Sequence, residues 1–163
     1  MVRIRVATPA DAEAAARCQI VCWRETYGPL VDPDRLAIMT ADETARTAFW
    51  RSVIADSPAT LRLAEDGDEV VGFATCGPTL DPADDSGLDR QVYALYTRRA
   101  HWGTGLGHRL LEAVLGDGDA LLWVLASNAR AIAFYTAHGF VPDGTVTDEP
   151  HFDQPEIRMV RRA

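Results

Sequence analysis

The chain has 163 residues, 16 basic and 24 acidic, with a formal net charge of −8, and is 47% hydrophobic and 25% charged. That length fits one domain able to bury roughly 70 per cent of its unfolded surface without a metal or disulfide, and the acidic balance argues against a nucleic-acid partner. The amino-terminal stretch alternates and then turns helical without a long apolar core, against a signal peptide or membrane span; with Cys18, Cys22 and Cys76 forming no CxxC pair, a cytoplasmic protein with reduced thiols is expected.

Val2 to Val6 reads as a strand, and Thr8, Pro9 and Asp11 mark a helix start. A helix is expected over Ala10 to Trp23, placing Cys18 and Cys22 one turn apart as small core residues. Glu25 to Val31 reads as a loop. Helices follow over Asp34 to Met39 and Ala41 to Ala55, the second behind a Thr40 and Glu43 capping box. Thr60 to Glu65 and Glu69 to Cys76 form a hairpin turned at Asp66 and Gly67, and Asp81 to Asp89 is an acidic surface loop. From Gln91 to Glu112, QVYALYTRRAHWGTGLGHRLLE, an apolar strand leads through Gly103, Gly105 and Gly107 into a helix. Its apolar residues Leu106, Leu110, Ala113 and Val114 recur at helical spacing. Leu121 to Leu125 reads as a strand buried on both faces; Ser127 or Asn128 then caps a helix through Ala137 that stops at Gly139. Val141 to Thr147 and Glu156 to Val160 form a last antiparallel pair. This order makes one α/β domain over residues 1–163, a mixed sheet with helices on both faces.

The glycine-rich turn carries the first chemical signal. Glycines let the backbone approach a ligand closely, and the free amides at the start of the next helix favour an anion. The dinucleotide fingerprint GxGxxG fails because His108 stands where its third glycine belongs; the triphosphate loop fails because the chain contains no lysine. What remains is GxGxG running directly into a helix.

Taken together, YALYTRRAHWGTGLGHRLL and LLWVLASNARAIAFYTAHGF resemble the two core motifs of the GNAT superfamily of acyl-CoA-dependent N-acetyltransferases, over roughly residues 92 to 140. The resemblance implies a single domain whose mostly antiparallel sheet splays its fourth and fifth strands so that pantetheine enters between them. Acetyl-CoA is then the co-substrate, with no metal. Pantetheine amides would pair with Leu95, Tyr96 and Thr97 as an added strand. The pyrophosphate would meet backbone amides of Gly103, Thr104, Gly105, Leu106, Gly107 and His108. Asn128 is either an N-cap alone or also a contact to the pantetheine arm.

Tyr135 follows Asn128 by seven residues, about 10 Å along a helix axis and on roughly the same face. A phenol stays protonated at neutral pH, and in relatives the tyrosine here protonates the departing thiolate; the alternative is a core aromatic beside Phe134 and Phe140. The general base is less defined. Trp123 and Gln91 occupy strand positions where relatives carry a glutamate, so Asp89 is the candidate, with Glu25, His101 or a water chain as alternatives. Trp102 also departs from the Gln or Arg that relatives often place before the first glycine. Arg98, Arg99, Arg109 and Arg130 surround the motif as surface residues or phosphate contacts. Trp23, Tyr27 and Trp50 either line an acceptor pocket or pack the core. The expected activity is direct acetyl transfer to the primary amine of a small molecule, amino acid or peptide, without a cysteine nucleophile. A non-catalytic acyl-CoA-binding module is the alternative. A homodimer is common among relatives.

Overall fold

The structure, a computed structural model, describes residues 1–56 and 61–163; the predicted start of the second strand at Thr60 lies outside them. In chain order the described elements are β1 (Arg3–Val6), α1 (Ala12–Tyr27), α2 (Pro33–Met39), α3 (Glu43–Asp56), β2 (Leu61–Asp66), β3 (Glu69–Pro78), β4 (Arg90–Thr97), α4 (Leu106–Leu115), β5 (Ala120–Leu125), α5 (Ala129–Ala137), β6 (Val141–Glu149) and β7 (Gln154–Arg161). They form one seven-stranded sheet in the order β1-β2-β3-β4-β5-β7-β6.

Every neighbouring pair is antiparallel except β4 and β5, which run parallel and meet through a single register pair, Gln91 with Leu121. Beyond it the strands part, leaving the β5-facing edge of β4 without a strand partner. The expected mixed sheet with splayed fourth and fifth strands is what the chain forms.

Each face of the sheet is covered by helices, because each helix has one apolar side to bury. On one face Ala12, Ala15 and Ala16 of α1 and Trp50 and Ile54 of α3 pack against Leu61, Leu63 and Phe73. Small residues on α1 bring its backbone close to the sheet. On the other, Leu106 and Leu110 of α4 cover Ala64, Val71 and Ala74, while Tyr135 of α5 joins Leu122, Val124, Phe140 and Met159. Cys18, Cys22 and Cys76 are all buried.

Two local expectations are corrected. The predicted loop from Glu25 begins too early: α1 continues through Tyr27, where Thr26 is buried and Tyr27 packs with Trp23 and Phe152, so tertiary burial carries the helix one turn further. The cap of α3 is Asp42, whose Oδ1 accepts from the Ala45 amide; the Thr40 hydroxyl instead donates to the Leu36 carbonyl at the end of α2. The acidic loop is also less free than its composition suggests. Arg158 of β7, 6% exposed, pairs with Asp84 at 2.9 Å, Asp85 at 2.8 Å and Asp143 at 2.6 Å, tying that loop to β6 and β7. Burial opposes the Arg158 charge, but the hydrogen bonds it donates to the three carboxylates outweigh it. Among the described residues, no helix is long and apolar enough to cross a membrane.

Candidate active site

A cavity of about 390 Å³ opens where β4 and β5 part. One wall is β4 from Gln91 to Thr97; the other comes from Trp123 to Leu125 of β5 and from α5. Because the β5-facing edge of β4 has no strand partner here, its backbone groups are available for an extended ligand to extend the sheet. Leu95, Tyr96 and Thr97 all line the cavity. The Thr97 carbonyl is already taken, since the Trp102 indole donates to it at 3.0 Å.

The glycine turn closes one end. Gly103 and Gly105 adopt φ of +72° and +84°, the left-handed region that glycine enters without the cost other residues bear, and an added Cβ at either would meet nothing within 4 Å. Gly105 is the N-cap of α4 and offers no side-chain acceptor. Helix geometry therefore leaves the amides of Leu106, Gly107 and His108 without intrahelical partners. A bare, open loop with unpaired amides at a positive dipole end suits an anionic phosphate. Gly107 has another reason to be glycine: its Cβ would sit 3.1 Å from the Phe134 ring, so its smallness sets how closely α4 meets α5. Thr104 is exposed, its hydroxyl donating to the His101 carbonyl at 2.7 Å.

Asn128 performs the cap role, accepting from the Ala131 amide at 3.1 Å through Oδ1. The residue is 6% exposed and lines the cavity, and its Nδ2 donates to no group among the described residues. Tyr135 also lines the cavity, 8% exposed, behind Asn128 on α5. Burial holds its phenol well above the usual tyrosine range; the nearby Tyr96 phenol adds to this, and Arg130 opposes it. The hydroxyl is therefore protonated throughout the physiological range. Arg130 lies over the Trp102 ring at 3.7 Å and lines the same cavity. Arg98 is instead bound to Glu25 and Glu69, and Arg109 donates to the Val2 carbonyl.

The expected base is not in the cleft. Asp89 has an exposed side chain in the loop before β4 and does not line the cavity, because β4 enters the sheet only at Arg90. Glu25 is occupied by Arg98 and by the Arg99 amide, 2.7 Å away, and Gln91 accepts from the Leu80 amide at 3.1 Å. The carboxylate that does reach the cavity is Glu156 of β7. Its register partner is Leu125, the last residue of β5, so it stands where β4 and β5 have separated. Burial, assisted by the charge of Glu149, pushes its carboxyl up to about 7. Sequence patterning missed it because an acidic residue at the start of a hairpin strand reads as solvent-facing. Of the three candidate pocket aromatics, Tyr27 lines the cavity and joins its hydroxyl to that of Tyr96 at 2.8 Å. Trp23 packs behind it, and Trp50 is a core residue donating to Gln19 at 2.8 Å. Among the described residues no cluster of His, Cys, Asp or Glu could hold a metal ion.

A parted parallel pair, a bare glycine turn at a helix start and a capped helix lining the gap together form an open cleft with free backbone amides at one end. The chain belongs to the Acetyltransferase (GNAT) family, whose sequence model matches residues 21–140. It is 28% identical over 153 residues to a probable N-acetyltransferase of Mycobacterium tuberculosis, covering 91% of this chain and 86% of that one. Its fold resembles the PaiA N-acetyltransferase of Thermoplasma acidophilum, solved with coenzyme A, with a TM-score of 0.73 at 15% identity over 100% of this chain and 99% of that one. A putative acetyltransferase of Salmonella typhimurium, solved with acetyl-CoA, gives 0.69 at 20% identity, over 99% and 94%.

Proposed function

We propose that this protein transfers the acetyl group of acetyl-CoA to the primary amine of a small molecule, amino acid or peptide by direct attack in a ternary complex. The observation that carries this reading is the gap between β4 and β5, with the unpaired edge of Leu95 and Tyr96 on one side and the uncapped first turn of α4 at its end. The pantetheine arm lies along β4 and pairs with its backbone, and the Asn128 Nδ2 donates to it from the N-cap of α5. The pyrophosphate rests against the amides of Leu106, Gly107 and His108. Placing the amine beside a thioester held in this way removes the entropic cost of their encounter, and a β4 amide steadies charge developing on the carbonyl oxygen.

Tyr135 donates to the departing sulfur. Proton transfer from a phenol held above its usual range is uphill, so it follows the charge that builds on the departing sulfur, and Arg130 offsets part of the cost. A non-catalytic acyl-CoA-binding module is the second reading, favoured by Trp123 and Gln91 where relatives carry a base. Thiol release from acetyl-CoA across a panel of amines separates the two: turnover supports the transferase, and calorimetric binding of acetyl-CoA without turnover supports the module. No detectable binding of acetyl-CoA by folded protein removes both.

A further inference from the structure

The cavity carries an asymmetry of charge. Arg130, His101, His108 and His138 line it from the elements that follow β4 and β5, whereas Glu156 is its one lining carboxylate among the described residues and comes from β7. Glu156 is half-buried and has no hydrogen bond or ion pair among the described residues. A carboxylate removed from water without a partner is costly unless a ligand supplies one.

The groups facing it cannot supply one. Glu149 on β6 is like-charged and accepts from the Phe152 amide and pairs with His151. Tyr27 on α1 and Tyr96 on β4 lie close enough for the Glu156 charge to raise both phenols, but their hydroxyls bond each other. Arg158, two residues along β7, is held by Asp84, Asp85 and Asp143. Arg130 on α5 is stacked on Trp102. Leu125 is the register partner of Glu156 and Tyr27 lies within reach of its charge, and both line the cavity together with Trp123, Thr26 and Gln91.

We infer that Glu156 receives the acceptor's ammonium and removes its proton, and that the acceptor is a primary amine bearing one positive charge on an apolar aryl or alkyl body. This rests on the acetyltransferase reading above. A second cation on the acceptor would find no second lining carboxylate, and an acceptor carboxylate beside the ammonium would be repelled by Glu156, whereas an apolar body meets the aromatic rings of Tyr27 and Trp123. In the reaction Glu156 takes one ammonium proton, and the freed lone pair forms the C–N bond to the acetyl carbon. The C–S pair leaves on sulfur, which takes the Tyr135 proton. The second nitrogen proton restores Tyr135, and Glu156 releases its own to solvent. One ammonium and one thioester thus give one amide, one thiol and one proton.

The experiment measures thiol release with 2-phenylethylamine, hexylamine, 1,6-diaminohexane and phenylalanine, for the wild type, Glu156→Gln and Glu156→Asp, from pH 5.5 to 9. The two monoamines are expected to exceed the diamine and the amino acid by about tenfold or more in kcat/KM. Wild-type activity should rise with pH through about 7. Glu156→Gln should lose about 100-fold and with it that limb of the profile, Glu156→Asp should recover part of both, and all three should bind acetyl-CoA equally by calorimetry. Activity of Glu156→Gln within twofold of wild type with an unchanged pH profile overturns the role of Glu156. Preference for the diamine or phenylalanine, or no turnover of any of the four by protein that binds acetyl-CoA, overturns the acceptor class. Absence of acetyl-CoA binding by the wild type overturns the underlying reading instead.

Discussion

Asn128, the N-cap of α5, and Tyr135 within that helix line the same cavity with different partners. Asn128 has one oxygen committed to the Ala131 amide and one amino group committed to nothing, so the two ends of its side chain can be tested apart. Replacement by Asp retains the capping oxygen and removes the donor; stability should stay close to wild type while acetyl-CoA binds about tenfold more weakly. Replacement by Ala should do both, with about 1 kcal/mol lost from stability. Thermal unfolding set beside calorimetric titration reads the two effects, and equal affinity for Asn128→Asp would confine the residue to capping. Tyr135 differs because its hydroxyl has no hydrogen bond among the described residues and its ring packs with Phe134 and Phe140. Tyr135→Phe keeps that packing, so kcat should fall about 10- to 100-fold with acetyl-CoA affinity within about twofold. Steady-state kinetics with an active amine checks this, and an unchanged kcat would leave the tyrosine a packing residue.

The turn between β4 and α4 works through backbone conformation. At Gly105 an alanine would meet no atom, yet φ of +84° is unfavourable for any residue with a Cβ, so Gly105→Ala should cost about 1–2 kcal/mol and reorient the free amides of the first turn. Acetyl-CoA affinity should fall along with thermal stability. At Gly107 the conformation is helical and the obstacle is Phe134, 3.1 Å from the added methyl. Gly107→Ala should therefore disturb the contact of α4 with α5 more than the anion cradle, with a smaller loss of affinity for the same loss of stability. If both variants lost affinity in proportion to stability alone, the distinction between cradle and spacer would be wrong. The three glycines were legible as a bare turn into a helix because a local spacing records a local backbone demand. Their division into two conformational residues and one packing residue was not, because Phe134 lies on another helix.

Across the whole molecule, distant segments are joined by charge. Arg158 on β7 gathers Asp84 and Asp85 of the acidic loop and Asp143 of β6, and burial of Asp84 and Asp143 is outweighed by their hydrogen bonds, so both carboxyls sit below the usual range. A carboxyl lowered in the folded state stabilises it above the unfolded value of about 4, and that contribution is lost as pH falls through the lowered values. Arg158→Met strands buried carboxylates and should cost about 3–5 kcal/mol at pH 7, with the deficit shrinking toward pH 3 as those groups take protons. Unfolding measured across that range tests it; a deficit independent of pH would point to lost packing alone.

The strands, the glycine turn and the capped α5 could be read from residues within one turn or one strand of each other, and the order of elements followed from them. Asp89 lies outside the cavity for the converse reason: nearness in sequence to β4 says nothing about which side chains enter the gap. The insertion of β7 between β5 and β6 brings Glu156 to the end of β5, and the pairing of Tyr27 with Tyr96 joins residues 69 positions apart. Hydrophobic period and capping report what a segment does to its own backbone, so the chain by itself determined the elements and the glycine turn at the start of α4. Which carboxylate lines the gap between β4 and β5 depends on the lateral order of strands, and only the assembled sheet decided that.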